Sequence, residues 1–283
     1  MNENDGNMEY IQLKQLPKST LNDAGRQFLN YSTAIFALST QNSADDAKLI
    51  GSGTFVTVNQ RNYVLTASHV IKSRPFERAE GIGFALKTGR HHFSLKREHL
   101  TDIHFGAATD PQSGPDLALI SIPEAHVGTI SAYNSFWNIN GNSTTALNEP
   151  IELIHSAWVL VGCPDEETLI AGPSGGFMRN MSFMNMVGFG GAENYRRDYD
   201  FDYINFIASY DEESSSPASF GGVSGGGLWW VRFLINPDKS ITLDNYFLYG
   251  VAFYQMPIEK NERRIICHAR QSIYSLPTRG ELH

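Results

Sequence analysis

Apolar and polar positions along the chain fall into short β-rich runs separated by turn-forming residues. The runs are "AIFALST", "GTFVTV", "NYVLTA", "GIGFAL", "DLALISI", "WVLVG", "YINFIAS", "GLWWVRFLI" and "YFLYGVAFY". Runs of this length, rich in branched and aromatic residues, predict strands. "NQRN" and "NPDKS" supply hairpin chemistry between two of the pairs. Many strands with few long helical patterns predict an all-β sandwich or barrel. A polar, Asn- and Ser-rich interval, Ser131 to Pro150, divides the pattern and reads as a connector between two β-barrels. The expected organisation is an N-terminal extension over 1–30, a first barrel over 31–135, a linker over 136–150, and a second barrel over 151–283. A helix is expected around "LNDAGRQFL". The final "ERRIICHARQSIYSL" is ambiguous between helix and strand, and is read as a short C-terminal helix docked on the second barrel. Neither an internal repeat nor a low-complexity tract is found.

Composition narrows the function classes. The chain has 283 residues, 41% hydrophobic and 18% charged, which fits a folded globular protein of one large or two fused units. The net charge of −8 disfavours nucleic acid and anionic membranes as partners, and neither is expected. "MNENDGNMEY" lacks the basic start and apolar core of a signal peptide, and no apolar run approaches spanning length. A soluble cytosolic protein is therefore expected. Cys163 and Cys267 are too few for a disulfide framework and read as buried, packed thiols.

The candidate chemistry centres on "FGGVSGGGLWW", where Ser224 stands among Gly221, Gly222, Gly225, Gly226 and Gly227. Glycines clustered beside a strand-like run suggest a close backbone approach. A serine hydroxyl is a poor nucleophile unless a base takes its proton and a third group fixes that base's tautomer. Of the nine histidines, His69 stands apart, in "YVLTASHVI" at a strand end. Asp116 opens "DLALISI" directly after the turn "SGP", where a carboxylate can point off a strand end into a cleft.

"TASHV", "GPDLALI" and "GVSGGGL", in the order His, Asp, Ser, resemble the chymotrypsin or trypsin-like serine peptidases, over roughly Ala34 to Tyr274. The resemblance implies two antiparallel six-stranded β-barrels with the active site in the crevice between them. It implies that Ser224 is the nucleophile, His69 the general base and later acid, and Asp116 the group that orients the imidazolium. It further implies an oxyanion hole made by the amides of Gly222 and Ser224, where a side chain at position 222 would obstruct the turn. No cofactor or metal is expected to be needed. The implied activity is that of a serine endopeptidase on a protein or peptide substrate, narrow in specificity or kept latent until a partner protein activates it. Bacterial relatives of this type sometimes act in antiphage defence or programmed cell death. The alternatives are an inactive binding module on the same scaffold, or an esterase.

Two departures resemble the intracellular and bacterial branch. Val223 stands where digestive members carry the aspartate that receives a newly cut N-terminus, and Val70 follows His69 where many secreted members have a disulfide cysteine. For substrate binding, the position six residues before Ser224 is Ala218, without the carboxylate that pairs a basic substrate side chain in trypsin. An apolar or small residue at the cleavage point is expected. Phe253, Tyr254 and Gln255, in "YGVAFYQ", resemble the strand that pairs with substrate and are its candidate walls, with Phe253 replacing a serine that commonly bonds the aspartate.

The remaining clusters read as structural. His91, His92, His99 and His104 share a window but match no compact metal-ligand spacing, so solvated loop and strand positions are expected. Cys267 and His268 lack a partner acid or glycine turn and read as packing. The methionine-rich "GGFMRNMSFMNMVGFGG" reads as a loop tucked over a barrel, and "ENYRRDYDFDY" as a solvated loop at the cleft rim.

Overall fold

The computed structural model describes residues 17–39, 47–86, 91–105, 112–151, 157–165, 169–170, 181–182, 186–210, 217, 219–236 and 238–279. Helix α1 (Lys18–Leu29) leads into β1 (Ser32–Leu38), β2 (Ala47–Val58) and β3 (Arg61–Thr66). Two single-turn helices follow, α2 (Ser68–Ile71) and α3 (Arg74–Glu77). Next come β4 (Gly81–Leu86), β5 (His91–Lys96), β6 (Asp102–Phe105) and β7 (Leu117–Ser121). After α4 (Glu124–Ser131), β8 (Trp137–Asn138) and α5 (Ile139–Asn148), the chain enters its second half. That half holds β9 (Ala157–Gly162), β10 (Leu169–Ile170), β11 (Met181–Ser182), β12 (Met186–Asp198), β13 (Phe201–Ser209), β14 (Gly227–Ile235), β15 (Ile241–Glu259), β16 (Glu262–His268) and α6 (Arg270–Tyr274).

Apart from the short β10–β11 pair, the described strands form two sheets where the pattern predicts two barrels. β9, β12, β13, β16, β15 and β14 pair antiparallel in a ring that returns to β9. The other sheet runs β5-β4-β1-β2-β3-β7-β6, with β8 added parallel to β2. It differs from the expected six-stranded barrel: it has eight strands, and β5 and β6 are not paired to each other among the described residues. The hairpin between β2 and β3 turns on Asn59 and Gln60, both at positive φ (48° and 66°), as a two-residue primed turn requires.

Strands alternate their side chains, so a strand buried on both faces reads as a continuous apolar run. β7 shows this directly. Leu117 and Leu119 join the core of the ring, while Ala118 and Ile120 join the core of the first sheet. β3 does the same, with Tyr63 and Leu65 on one side and Val64 on the other. The first sheet is thus one wall of the second core, and the two halves share apolar contacts.

Four local expectations change. "ENYRRDYDFDY" is not a solvated loop but the paired ends of β12 and β13, with Asp202 and Tyr203 buried. The linker is not an irregular connector: α5 occupies residues 139–148, started by Asn138, whose side chain accepts the Gly141 amide at 2.8 Å. Ile139 and Ala146 bury its apolar side. The ambiguous C-terminal run is both things at once, strand β16 and then helix α6. Buried Asp202 caps α6 by accepting the amides of Gln271 (2.9 Å) and Ser272 (2.6 Å). In the N-terminal extension, α1 is a core element: Phe28 is fully buried and stacks on Trp229 at 5.1 Å. The methionine-rich stretch lies mostly outside the described residues.

Candidate active site

Strand register accounts for the first half of the site. β3 and β7 are antiparallel with Thr66 opposite Ala118, so the chain two residues beyond Thr66 meets the chain two residues before Ala118. That places α2 against Asp116. The carboxylate takes both available donors there: Oδ1 accepts the His69 amide at 2.9 Å, and Oδ2 lies 2.5 Å from His69 Nδ1. With Nδ1–H given to the carboxylate, Nε2 is the basic nitrogen, and the ring is half-exposed while the carboxyl is buried. Burial pushes the Asp116 carboxyl up, but the hydrogen bonds and charge of His69 outweigh it and hold it below the usual range.

A second histidine, read from sequence as packing, supports Asp116 from behind. His268 Nε2 accepts the Asp116 amide at 2.9 Å. The ring is fully buried among Phe253 (4.8 Å), Tyr203 (5.1 Å) and Phe201 (5.7 Å). Burial pushes its pKa down to about 3, so it is neutral near pH 7 and can act as the acceptor that the amide needs. Phe253 is buried in the core, its ring tilted at 38° against that of His268, rather than lining an open wall.

His104, expected to be solvated, is also engaged. β6 sets His104 opposite Ala118, abreast of Thr66 across β7. Its Nδ1 lies 2.6 Å from Ser68 Oγ, and its Nε2 lies 2.7 Å from Asp102 Oδ2. Ser68 precedes His69, so α2 is tethered on one side by Asp116 and on the other by His104. Of the other clustered histidines, His91 stacks on Tyr133 at 4.0 Å and His99 lies 3.5 Å from Glu98.

The serine turn is held by Ser52 on β2. The Ser52 amide donates to the Ser224 carbonyl at 2.7 Å, and its hydroxyl donates to the Gly222 carbonyl at 2.7 Å while accepting the Cys163 amide at 2.8 Å. Sequence reasoning did not assign Ser52; the visible signal was its bracketing by Gly51 and Gly53 in "GSGTF". Two glycines are obligatory in the turn. Gly222 (φ +81°) faces Asp165 Oδ1 and the Cys163 carbonyl where a Cβ would stand, and Gly225 (φ +89°) faces the Ser52 carbonyl and Thr66 Oγ1. The Gly225 contacts bring the serine turn against the end of β3, three residues before His69.

The amides of the turn divide into two sets. Those of Phe220, Gly221, Val223, Gly225 and Gly226 donate to Gln255 Oε1, Ser219 Oγ, Phe220 O, Ala252 O and Val223 O, respectively. The amides of Gly222 and Ser224 donate to no acceptor among the described residues, and both residues are only half-buried. Two unclaimed N–H groups, one on a serine and one two residues before it, can bind a negative oxygen. Ser224 Oγ makes no hydrogen bond to His69 among the described residues, an open arrangement common in unliganded sites.

The remaining expected residues divide as well. Gln255 is half-buried and holds the turn through Phe220; Tyr254 is half-buried, its hydroxyl 3.1 Å from Gln112 Nε2. Ala218 lies outside the described residues. Cys163 and Cys267 are buried thiols outside any disulfide, and burial pushes both pKa values up, that of Cys163 to about 12, so neither is poised as a nucleophile. No group of three or more candidate metal ligands occurs among the described residues, and none of their helices is long and apolar enough to cross a membrane.

No protein-family model matches the chain, and no curated protein matches it in sequence. Among solved structures, "HtrA-type protease AlgW with decapeptide" is similar at 14% identity and a TM-score of 0.47, over 93% of this chain and 69% of that one. A structure described under "Aromatic interactions drive the coupled folding and binding of the intrinsically disordered Sesbania mosaic virus VPg protein" is similar at 13% identity and a TM-score of 0.44, over 87% and 90%. With TM-scores this low, the reading of the site rests on its own atoms.

Proposed function

We propose that the chain is a serine endopeptidase acting through Ser224, His69 and Asp116. The observation that supports it most is the serine turn itself: the amide of Ser224 and that of Gly222, two residues before it, are unclaimed, and the turn packs on the strand end that leads to a carboxylate-bound histidine.

In this reading Ser224 Oγ attacks the acyl carbon as His69 Nε2 takes its proton, and a C–O bond forms while the carbonyl π pair moves to oxygen. The amides of Gly222 and Ser224 hold that oxyanion; loss of one such donor elsewhere costs about 3 kcal/mol. Collapse breaks the C–N bond, and His69 returns the proton to the leaving amine. Water then repeats the sequence on the acyl-enzyme and frees Ser224. Asp116 fixes the Nδ1–H tautomer and stabilises the imidazolium throughout. The partner is a protein or peptide substrate, and narrow specificity restricts the activity.

Covalent labelling of the purified chain by a fluorophosphonate tests this, with Ser224→Ala as control. Labelling of the parent and not of the variant is expected. A folded parent that does not label would overturn it, and esters turned over with peptides left uncut would reassign the chemistry to an esterase.

A further inference from the structure

The serine turn is tied at its start to a cation. Gln255 Oε1 on β15 accepts the Phe220 amide at 2.8 Å and Arg263 Nη1, from β16, at 2.6 Å. The Phe220 carbonyl accepts the Val223 amide at 3.0 Å, so one tight turn separates this junction from Ser224. Arg263 also lies over the Tyr210 ring at 5.9 Å, and the Tyr210 hydroxyl donates to the Pro217 carbonyl at 2.7 Å. The guanidinium is therefore lodged between β15, β16 and the segment leading into the serine turn.

Two features distinguish it. Arg264, on the opposite face of β16, is paired with Glu193 (2.5 Å) and Glu262 (3.7 Å), whereas Arg263 has no carboxylate at ion-pair distance among the described residues. Its Nε is also buried without an acceptor among those residues. Nη1 is occupied by the glutamine, and the edge left over, Nε with Nη2, is the fork on which a carboxylate binds through two parallel hydrogen bonds. Unlike the core indole nitrogens that also lack a partner among the described residues, this donor belongs to a half-buried, charged side chain beside the serine turn, where a carboxylate would satisfy both its hydrogen bond and its charge.

We propose that Arg263 is a specificity residue and that the substrate carries an acidic side chain, glutamate or aspartate, on the acyl side of the cleaved bond. The carboxylate takes the Nε–Nη2 fork while Gln255 holds the guanidinium toward the turn. This rests on the hydrolase reading above and changes the expectation drawn from Ala218, which leaves a basic substrate residue without a counter-charge and suggests an apolar or small one. The net charge of −8 opposes an acidic ligand at long range, so recognition falls to this contact, where a half-buried guanidinium is little screened.

The test uses the full chain and four N-acyl tetrapeptide coumarin amides identical except for Glu, Gln, Leu or Lys at the acyl-side position. Fluorophosphonate labelling of the parent is run beside them, because that probe carries no acidic side chain and reports the nucleophile alone. The expected result is labelling together with a kcat/KM at least about tenfold higher for Glu than for Gln or Leu, a difference of about 1.4 kcal/mol. Arg263→Gln is expected to bring the Glu and Gln peptides within about threefold of each other. Arg263→Lys, which keeps the charge and loses the fork, is expected to fall between. A parent that labels but prefers Leu, Lys or Gln, or turns over none of the four, overturns the specificity assignment and leaves the hydrolase reading standing. An Arg263→Gln chain that keeps the Glu preference overturns it as well. Absence of labelling in the folded parent overturns both.

Discussion

His268 makes a sharp prediction about stability, because a neutral imidazole with no path to solvent couples folding to protonation. In the unfolded chain its pKa is near 6.5, and in the folded chain burial pushes it down to about 3. Between those values the unfolded state binds the proton and the folded state does not, so stability rises with pH and is lost on acidification from about 6.5 toward 3. Each pH unit in that window is worth about 1.4 kcal/mol, so acidifying from neutrality to about pH 5 removes about 2 kcal/mol through this residue alone. The perturbation is His268→Gln, which keeps a side-chain acceptor for the Asp116 amide and removes the titration. Urea unfolding of parent and variant at about pH 7.5 and pH 5 measures the difference, and the exposed histidines and carboxylates cancel between the two chains. The expected outcome is a parent that loses about 2 kcal/mol more than the variant over that interval. Equal losses would refute the assignment of His268 as a buried neutral acceptor.

Two further substitutions test the geometry around Ser224 and the N-terminal helix. Gly225→Ala places a Cβ against the Ser52 carbonyl and Thr66 Oγ1 at a φ of +89°. The backbone conformation alone costs about 1–2 kcal/mol, so the urea midpoint and the rate of fluorophosphonate labelling are both expected to fall; an unchanged pair would contradict the close packing of the turn on β2 and β3. Phe28→Ala removes a fully buried ring from its stack on Trp229 and is expected to cost about 3–5 kcal/mol by denaturant unfolding, whereas a loss below about 1 kcal/mol would mean that α1 is dispensable to the core.

The strands were legible because their local cause is local. "GIGFAL" and "GLWWVRFLI" coincide with β4 and β14, since apolar, branched and aromatic runs of that length form strands almost wherever they are buried. β5 was not recognised: "HHFSLK" buries only Phe93 and Leu95, and its polar positions face outward. Helix α5 escaped for a related reason. Its Asn-, Ser- and Thr-rich sequence favours loops, and what makes it a helix is the Asn138 cap and the core that receives Ile139 and Ala146. The serine turn and its glycines were likewise legible, because positive φ and close approach leave little choice of residue at positions 222 and 225.

The amino-acid sequence alone thus determined the β-rich class, the division into two sheets and the three motifs carrying Ser224, His69 and Asp116. The tertiary structure decided which groups support them. Ser52 meets Gly222 across 170 residues of chain and His268 meets Asp116 across 152. His104 reaches Ser68 only because β6, β7 and β3 pair in one register. Strand register is set by the summed burial of whole faces, and a shift of one residue would turn each of these side chains to the opposite side of its sheet. No short window of sequence contains that sum, so the contacts that hold the site exist only once both sheets have packed.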